Sequence, residues 1–215
     1  MLFDALLHKG KPDIGLPKCA VLYEQEMWPT ADRSQPPTAF PDKPGAITCL
    51  DIERWPPPTV EWFQQTIDGF RAAHPQKRVG FYGYPEGKWE LWDKGINDPQ
   101  SIALRDRMKQ YRILADAADF TAPSLYARHP DPQQWLRVAV NAIAMAKDFG
   151  EICYPFLWPE FYDGSPYAGQ PVPVDFWRLQ IEVCERYADG AIIWGGYLKQ
   201  WDESAPWWVA TKAYL

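Results

Sequence analysis

Asp51 and Glu53 stand two residues apart at the end of a short apolar run, Ala46-Ile47-Thr48-Cys49-Leu50-Asp51-Ile52-Glu53-Arg54-Trp55, which leads into Pro56-Pro57-Pro58. Runs of this length and composition, bounded by Gly or Pro, read as buried strands. Side chains alternate along a strand, so Cys49, Asp51 and Glu53 share one face and Leu50 and Ile52 the other. At ~3.3 Å per residue the two carboxylates project together from points ~6.5–7 Å apart. Such a pair is costly for stability and well suited to acid–base chemistry. Burial and like charge push a carboxyl pKa up, toward the range where it can deliver a proton at neutral pH. Glu53, further out, suits the general acid, and Asp51, deeper, is expected to stay ionised. The purely structural alternative has Asp51 capping the following loop and Glu53 paired with Arg54 or Arg78.

The elements that must position this pair follow a repeating order. Residues 1–7 read as a strand or a helical turn, and Cys19–Glu24 as a strand followed by Glu26 and Trp28. Residues 29–45 form a proline-rich loop leading into the carboxylate strand. Helical spacing then runs from Thr59, a plausible N-cap, to Ala73. Arg78–Pro85 is a strand, and Asp98-Pro99 opens a helix that runs to about Ala117. Phe120–Ala127 is a strand, and Asp131-Pro132 opens a helix that stops at Gly150. Ile152–Trp158, Pro173–Tyr187, Gly190–Tyr197 and Ser204–Leu215 read as strand, helix, strand and closing helix.

Strands alternating with helices of this length imply parallel strands joined by crossovers. Neither G-x-G-x-x-G nor G-x-x-x-x-G-K occurs, which demotes a nucleotide-binding open sheet. The polar and aromatic groups favour a barrel. Glu24, Asp51, Glu53, Tyr82, Tyr84, Tyr126, Trp158 and Trp194 all fall near C-terminal strand ends, which in a (β/α) barrel converge on one mouth. Six strands, or seven with residues 1–7, and 215 residues fall short of eight strands and the typical ~250 residues. The expected fold is thus α/β, a compact or incomplete (β/α) TIM-like barrel of about seven parallel strands, in one catalytic domain over residues 1–215.

Composition narrows the partners. Hydrophobic residues make up 47% and charged residues 23%, as in ordinary globular proteins. Twelve tryptophans and 15% aromatics are far more than usual; aromatic surfaces stack on the apolar C–H faces of sugars or simply fill a core. A net charge of −6 and a pI near 5.1 argue against nucleic acid. No apolar run approaches the ~18 residues of a membrane span. The N-terminal stretch has no signal-peptide pattern, which suggests a cytoplasmic or phage- or virion-associated protein. Cys19, Cys49, Cys153 and Cys184 stand singly in apolar segments, and His8, His74 and His129 are scattered, so no metal or cofactor is expected. Oligomeric state is not legible.

Two-carboxylate glycosidases hold the pair ~5–5.5 Å or ~6.5–9.5 Å apart across the scissile bond. Carboxylates from one strand approach from one side, which suits the substrate-assisted exception, where the sugar's own acetamido oxygen attacks. At these residues the sequence resembles a known family. Asp51-Ile52-Glu53-Arg54-Trp55-Pro56 looks like the catalytic strand end of the hyaluronidase-type glycoside hydrolases, with Ile52 where a Trp is usual. Phe81-Tyr82-Gly83-Tyr84-Pro85, Pro123-Ser124-Leu125-Tyr126 and Ile193-Trp194-Gly195 are similar to later strand ends of that family, in the same order. The resemblance spans about residues 46–197. It implies a distorted seven-stranded barrel and retaining hydrolysis of a β-linked N-acetylhexosamine-containing polysaccharide. It also implies Glu53 as acid/base, Asp51 as acetamido orienter, and Tyr126 and Trp194 lining the sugar site. Tyr82, Tyr84, Trp158 and Glu24 complete the expected substrate contacts. The rival readings are a non-catalytic carbohydrate-binding barrel and a muramidase-type enzyme acting on peptidoglycan.

Overall fold

The computed structural model describes residues 1–28, 35–53, 60–84, 92–109, 112–150 and 152–215. Among them run seven strands: β1 (Leu2–Leu6), β2 (Cys19–Tyr23), β3 (Ile47–Asp51), β4 (Val79–Tyr82), β5 (Phe120–Ala122), β6 (Phe156–Leu157) and β7 (Ala191–Gly195). The helices are α1 (Glu24–Met27), α2 (Val60–Ala73), α3 (Pro99–Met108), α4 (Arg112–Ala117), α5 (Pro132–Phe149), α6 (Val174–Tyr187) and α7 (Pro206–Lys212). The alternation read from the sequence is present, and the N-terminal residues form a strand. Some boundaries differ. The single helix expected over 98–117 is α3 plus α4, the strands near Phe120 and Phe156 are shorter than expected, and the short α1 had no sequence signal. The expected N-cap Thr59 lies outside the described residues.

All strand pairs are parallel, in two ladders ordered β2-β3-β4-β5 and β1-β7-β6. Isolated parallel bridges join the ladder edges: Asp4 with Lys18 between β1 and β2, and Thr121 with Cys153 and Ser124 with Phe156 between β5 and β6. The strands therefore follow chain order around an incomplete (β/α) barrel, with two junctions too sparse to form ladders.

Strand alternation sorts the side chains into two buried layers. Phe3, Ala5, Cys19, Val21, Ile47, Cys49, Phe120, Ala122, Phe156 and Ile192 fill the interior of the barrel. Their neighbours Leu2, Leu22, Leu50, Val79, Phe81, Leu157 and Ile193 point outward, into a layer shared with helical residues such as Phe63, Ile67, Trp135, Ile143, Trp177 and Ile181. Burial on both faces explains why the strands are almost continuously apolar. The Asp-Pro signals work as expected. Asp98 accepts a hydrogen bond from the Gln100 N–H (2.9 Å), and Asp131 accepts from those of Gln133 (2.9 Å) and Gln134 (3.1 Å). Each aspartate thereby satisfies helix N–H groups that have no intrahelical partner.

At the β1–β2 junction, side chains take over the work of the missing ladder. The Asp4 N–H reaches the Pro17 carbonyl (2.9 Å), but the next edge donor, the Leu6 N–H, bonds to Asp4 Oδ1 (3.0 Å). Lys11 forms an ion pair with the other Asp4 oxygen, and both side chains are almost fully buried. On the β2 side Lys43 Nζ donates to the Val21 carbonyl (2.8 Å). Unpaired strand edges are thus satisfied internally. Asp4→Ala would orphan both a buried ammonium and a buried N–H, and is expected to cost ~3–5 kcal/mol. Urea denaturation of the variant against wild type measures this.

Candidate active site

The carboxylate strand β3 lies between β2 and β4, and its register decides what Asp51 meets. Tyr23 pairs with Asp51 across the β2–β3 ladder. Leu50 pairs with Phe81, so Asp51 and Tyr82 are the next residues along on the neighbouring strand. Asp51, at the end of β3, continues the inward row of Ile47 and Cys49, while Ile52 turns into the outer layer, only 3% exposed. Glu53 lies beyond the strand and is exposed. Glu24 opens α1 directly after β2. The parallel arrangement brings the other strand ends to the same face of the barrel.

Aromatic rings line this mouth. Trp194 stacks on Tyr126 (centroids 5.8 Å apart, interplanar angle 26°) and meets Trp158 edge to face at 4.9 Å. Tyr126 also touches Trp158 (5.3 Å), Tyr82 (6.1 Å) and Tyr162 (6.4 Å). The Trp194 indole N–H donates to the Tyr23 hydroxyl oxygen (3.0 Å), and the Tyr82 hydroxyl donates to Ser124 Oγ (3.2 Å). Trp158 packs close against Gly195, where a Cβ would come within 2.7 Å of the indole nitrogen. Gly195 also has φ of +135°, so both conformation and space demand glycine there.

Three carboxylates act on one another at this face. Burial pushes the Asp51 carboxyl up to about 7, with Glu53 and then Glu24 adding like charge. Its Oδ1 is buried and has no hydrogen-bond partner among the described residues. Glu53 is also raised, by desolvation first and Glu24 second. The sequence led to an Asp51 that stays ionised, and these surroundings disfavour that charge. Depth in the mouth removes water from Asp51, and the charges acting on it among the described residues are carboxylates, so its charged form is disfavoured toward neutrality. The neighbouring phenols respond to the same environment. Burial, more than the Asp51 charge, raises Tyr23 to about 12 and pushes Tyr82 and Tyr126 up as well.

Of the residues singled out from the sequence, Asp51, Glu53, Glu24, Tyr82, Tyr126, Trp158 and Trp194 are associated at this mouth through ring contacts or electrostatics. Tyr84 is not. Gly83 (φ +69°) turns the chain back on β5, where the Ala122 N–H reaches the Tyr84 carbonyl (3.0 Å), and the Tyr84 side chain is buried in the outer layer. Glu26 also points elsewhere, bonding to the Tyr23 N–H (2.9 Å) and to Lys43 (2.7 Å). Glu160 is paired with Lys199 (2.7 Å), and the Arg128 guanidinium lies over the Tyr162 ring at 4.8 Å. Arg54 and Trp55 lie outside the described residues. Tyr23 and Tyr162 are additional members of the mouth. Tyr23 was within reach of sequence reasoning, because it is the last inward residue of β2 and parallel register sets it beside Asp51.

No protein-family model and no curated protein matches the chain. Among solved structures it is similar to bee venom hyaluronidase in complex with a hyaluronic acid tetramer. That match has a TM-score of 0.61 at 13% identity and covers 91% of this chain and 82% of the other. A second bee venom hyaluronidase structure matches with a TM-score of 0.51 at 13% identity, over 79% and 68% of the two chains. At this identity what is shared is the fold, a TIM-like barrel of a kind used by a glycoside hydrolase.

The raised carboxyl has a consequence for stability. The folded pKa of Asp51, about 7, lies above its unfolded value of ~3.9, so the folded state binds this proton more tightly. The resulting stabilisation is complete below the unfolded value, declines as pH rises between the two, and is gone above about 7. Thermal melts from about pH 5 to 8 should therefore show wild-type stability falling through this contribution. Asp51→Asn should flatten that slope, and parallel slopes would contradict it.

Proposed function

We propose that the protein is a glycosidase that cleaves a β-linked N-acetylhexosamine-containing polysaccharide, with Glu53 as the acid/base and Asp51 as the group that orients the substrate's acetamido arm. The observation that carries this reading is the Asp51 carboxyl: half-buried, raised to about 7, and set beside Glu53 and an aromatic floor. The fold shared with bee venom hyaluronidase supports it. One catalytic domain over residues 1–215 is part of the proposal.

In the proposed reaction Glu53 gives its proton to the glycosidic oxygen as the C1–O bond breaks. The substrate's acetamido oxygen forms a bond to C1, closing a cyclic oxazolinium, and Asp51 accepts a hydrogen bond from the acetamido N–H. Water then adds at C1 and returns a proton to Glu53, which leaves the anomeric configuration as it began. One proton shared between the two carboxyls, rather than one fixed on either, is expected of a coupled pair. The active form carries it on Glu53 and leaves Asp51 as the carboxylate that faces the developing positive charge. Stacking of sugar rings on Trp194 and Tyr126, beside Trp158 and Tyr82, would hold the acetamido-bearing ring over Asp51. No metal or cofactor has a role in this scheme.

Reducing-end release from hyaluronan, chondroitin, chitin oligomers and peptidoglycan identifies the polymer. Glu53→Gln should lower release by ~10²-fold or more while leaving polymer binding intact. A wild-type protein that binds the polymer yet releases no reducing ends would point instead to a non-catalytic binding barrel. A thiazoline mimic of the cyclic intermediate should inhibit competitively, and indifference to it would exclude acetamido assistance even if hydrolysis occurred. The kcat/KM profile should fall on the alkaline side near pH 7, where the pair loses its shared proton; activity that is flat through that region contradicts the proton assignment.

A further inference from the structure

The turn after β7 holds two apolar side chains out in water. Tyr197 is 67% exposed and Leu198 66%. Both lie on the face of the barrel that carries the carboxylates, and Tyr197 is three residues past Trp194, so their Cα atoms are within ~11 Å. The turn is closed by a hydrogen bond from the Lys199 N–H to the Gly196 carbonyl (3.0 Å). Leu198, at its third position, has φ of +64°, the one left-handed non-glycine residue among those described. A leucine holds this conformation at a cost that glycine escapes.

Beneath the turn the chain is firmly held. The Lys9 N–H donates to the Lys199 carbonyl (2.8 Å), and the Trp201 N–H donates to the Lys9 carbonyl (2.9 Å). Lys199 Nζ reaches Glu160 (2.7 Å), just past Trp158. Gly196 rests on the His8 ring, where a Cβ would come within 1.9 Å of Nδ1. That ring in turn stacks on Trp207 (6.0 Å, 24°) and meets Trp201 edge-on at 5.6 Å. The exposed pair is therefore the rigid tip of a braced turn. Folding gains little from either side chain, yet the frame keeps both the exposure and the strain. Strain and exposed apolar surface retained together beside a site are features of ligand contact.

We propose that Tyr197 and Leu198 form a further binding position for a sugar ring, on the rim beyond Trp194, where the polysaccharide leaves the mouth. The proposal rests on the reading of that mouth as a polysaccharide-cleaving site. A flat ring beside a branched aliphatic side chain, continuous along the chain with an aromatic floor, matches the apolar C–H face of a pyranose. Such a contact favours long substrates, because a short oligosaccharide that fills the mouth does not reach the rim.

The test is binding of fluorescently labelled chitohexaose and hyaluronan hexasaccharide to Glu53→Gln protein, so that cleavage does not intervene, with the matching disaccharides for comparison. Tyr197→Ala should weaken hexasaccharide binding about tenfold, Tyr197→Phe should restore it, and disaccharide binding should change less than about twofold. Leu198→Gly should raise Tm by ~1–3 °C through relief of strain, while weakening hexasaccharide binding. Hexasaccharide affinity that is indifferent to the Tyr197 ring overturns the rim site and leaves the cleavage reading standing. Failure of both hexasaccharides to bind overturns it as well. Ring-dependent binding by a wild-type protein that hydrolyses none of hyaluronan, chondroitin, chitin oligomers and peptidoglycan overturns the cleavage reading and leaves the rim contact standing.

Discussion

The Asp51 carboxyl is half-buried among rings and other carboxylates, with Oδ1 shut off from water, and no cation among the described residues offsets it. Several cations among the described residues are engaged in other contacts. Lys43 bonds to Glu26 and the Val21 carbonyl, Lys11 pairs with Asp4, Lys199 pairs with Glu160, and Arg128 lies over Tyr162. Each of these contacts closes a strand edge, braces a turn or covers a ring. An ion pair there would lower its pKa and leave an ordinary structural carboxylate. What remains is a group whose charge is disfavoured by its surroundings, a state that the rest of the core must offset.

The aromatic residues add mechanical support as well as a floor. Trp194 belongs to the ladder β1-β7-β6 and Tyr23 to β2-β3-β4-β5. Their hydrogen bond therefore spans the two ladders at the junction where the backbone supplies little more than one bridge. At the β5–β6 junction, Tyr126 follows β5 and contacts Trp158, which follows β6. The sparse junctions of the incomplete barrel are thus reinforced by rings at the mouth. This links the aromatic floor to barrel integrity, and it gives the unusual tryptophan content two uses, since Trp135 and Trp177 are wholly buried in the outer layer.

Much of this was legible before the fold. Alternating apolar strands and Asp-Pro helix starts report local physics, namely burial on both faces and satisfaction of N–H groups, so they marked the strand order and two helix starts. The clustering of Asp51 with Tyr126 and Trp194 followed from a topological rule, since parallel strands bring their C-terminal ends together. Tyr84 misled that rule because a glycine turn directly after the strand, at Gly83, bent the chain back on β5, and period-two counting does not register a turn of that kind. Tyr23 was passed over in favour of its charged neighbour Glu24, although register makes Tyr23 the residue beside Asp51.

By itself the sequence determined the residue types at the strand ends, their alternation and hence the α/β barrel with a carboxylate pair at one mouth. Only the tertiary structure decided how far the charge on each carboxyl is disfavoured. That depends on how much water is removed and which charges remain nearby, and residues far apart in the chain set both quantities. Glu24 and Glu53 add negative charge, while Lys43 is drawn off to Glu26. The braced turn at Tyr197 and Leu198 is likewise a tertiary fact, since a left-handed leucine persists where His8, Lys9 and Glu160 hold its frame.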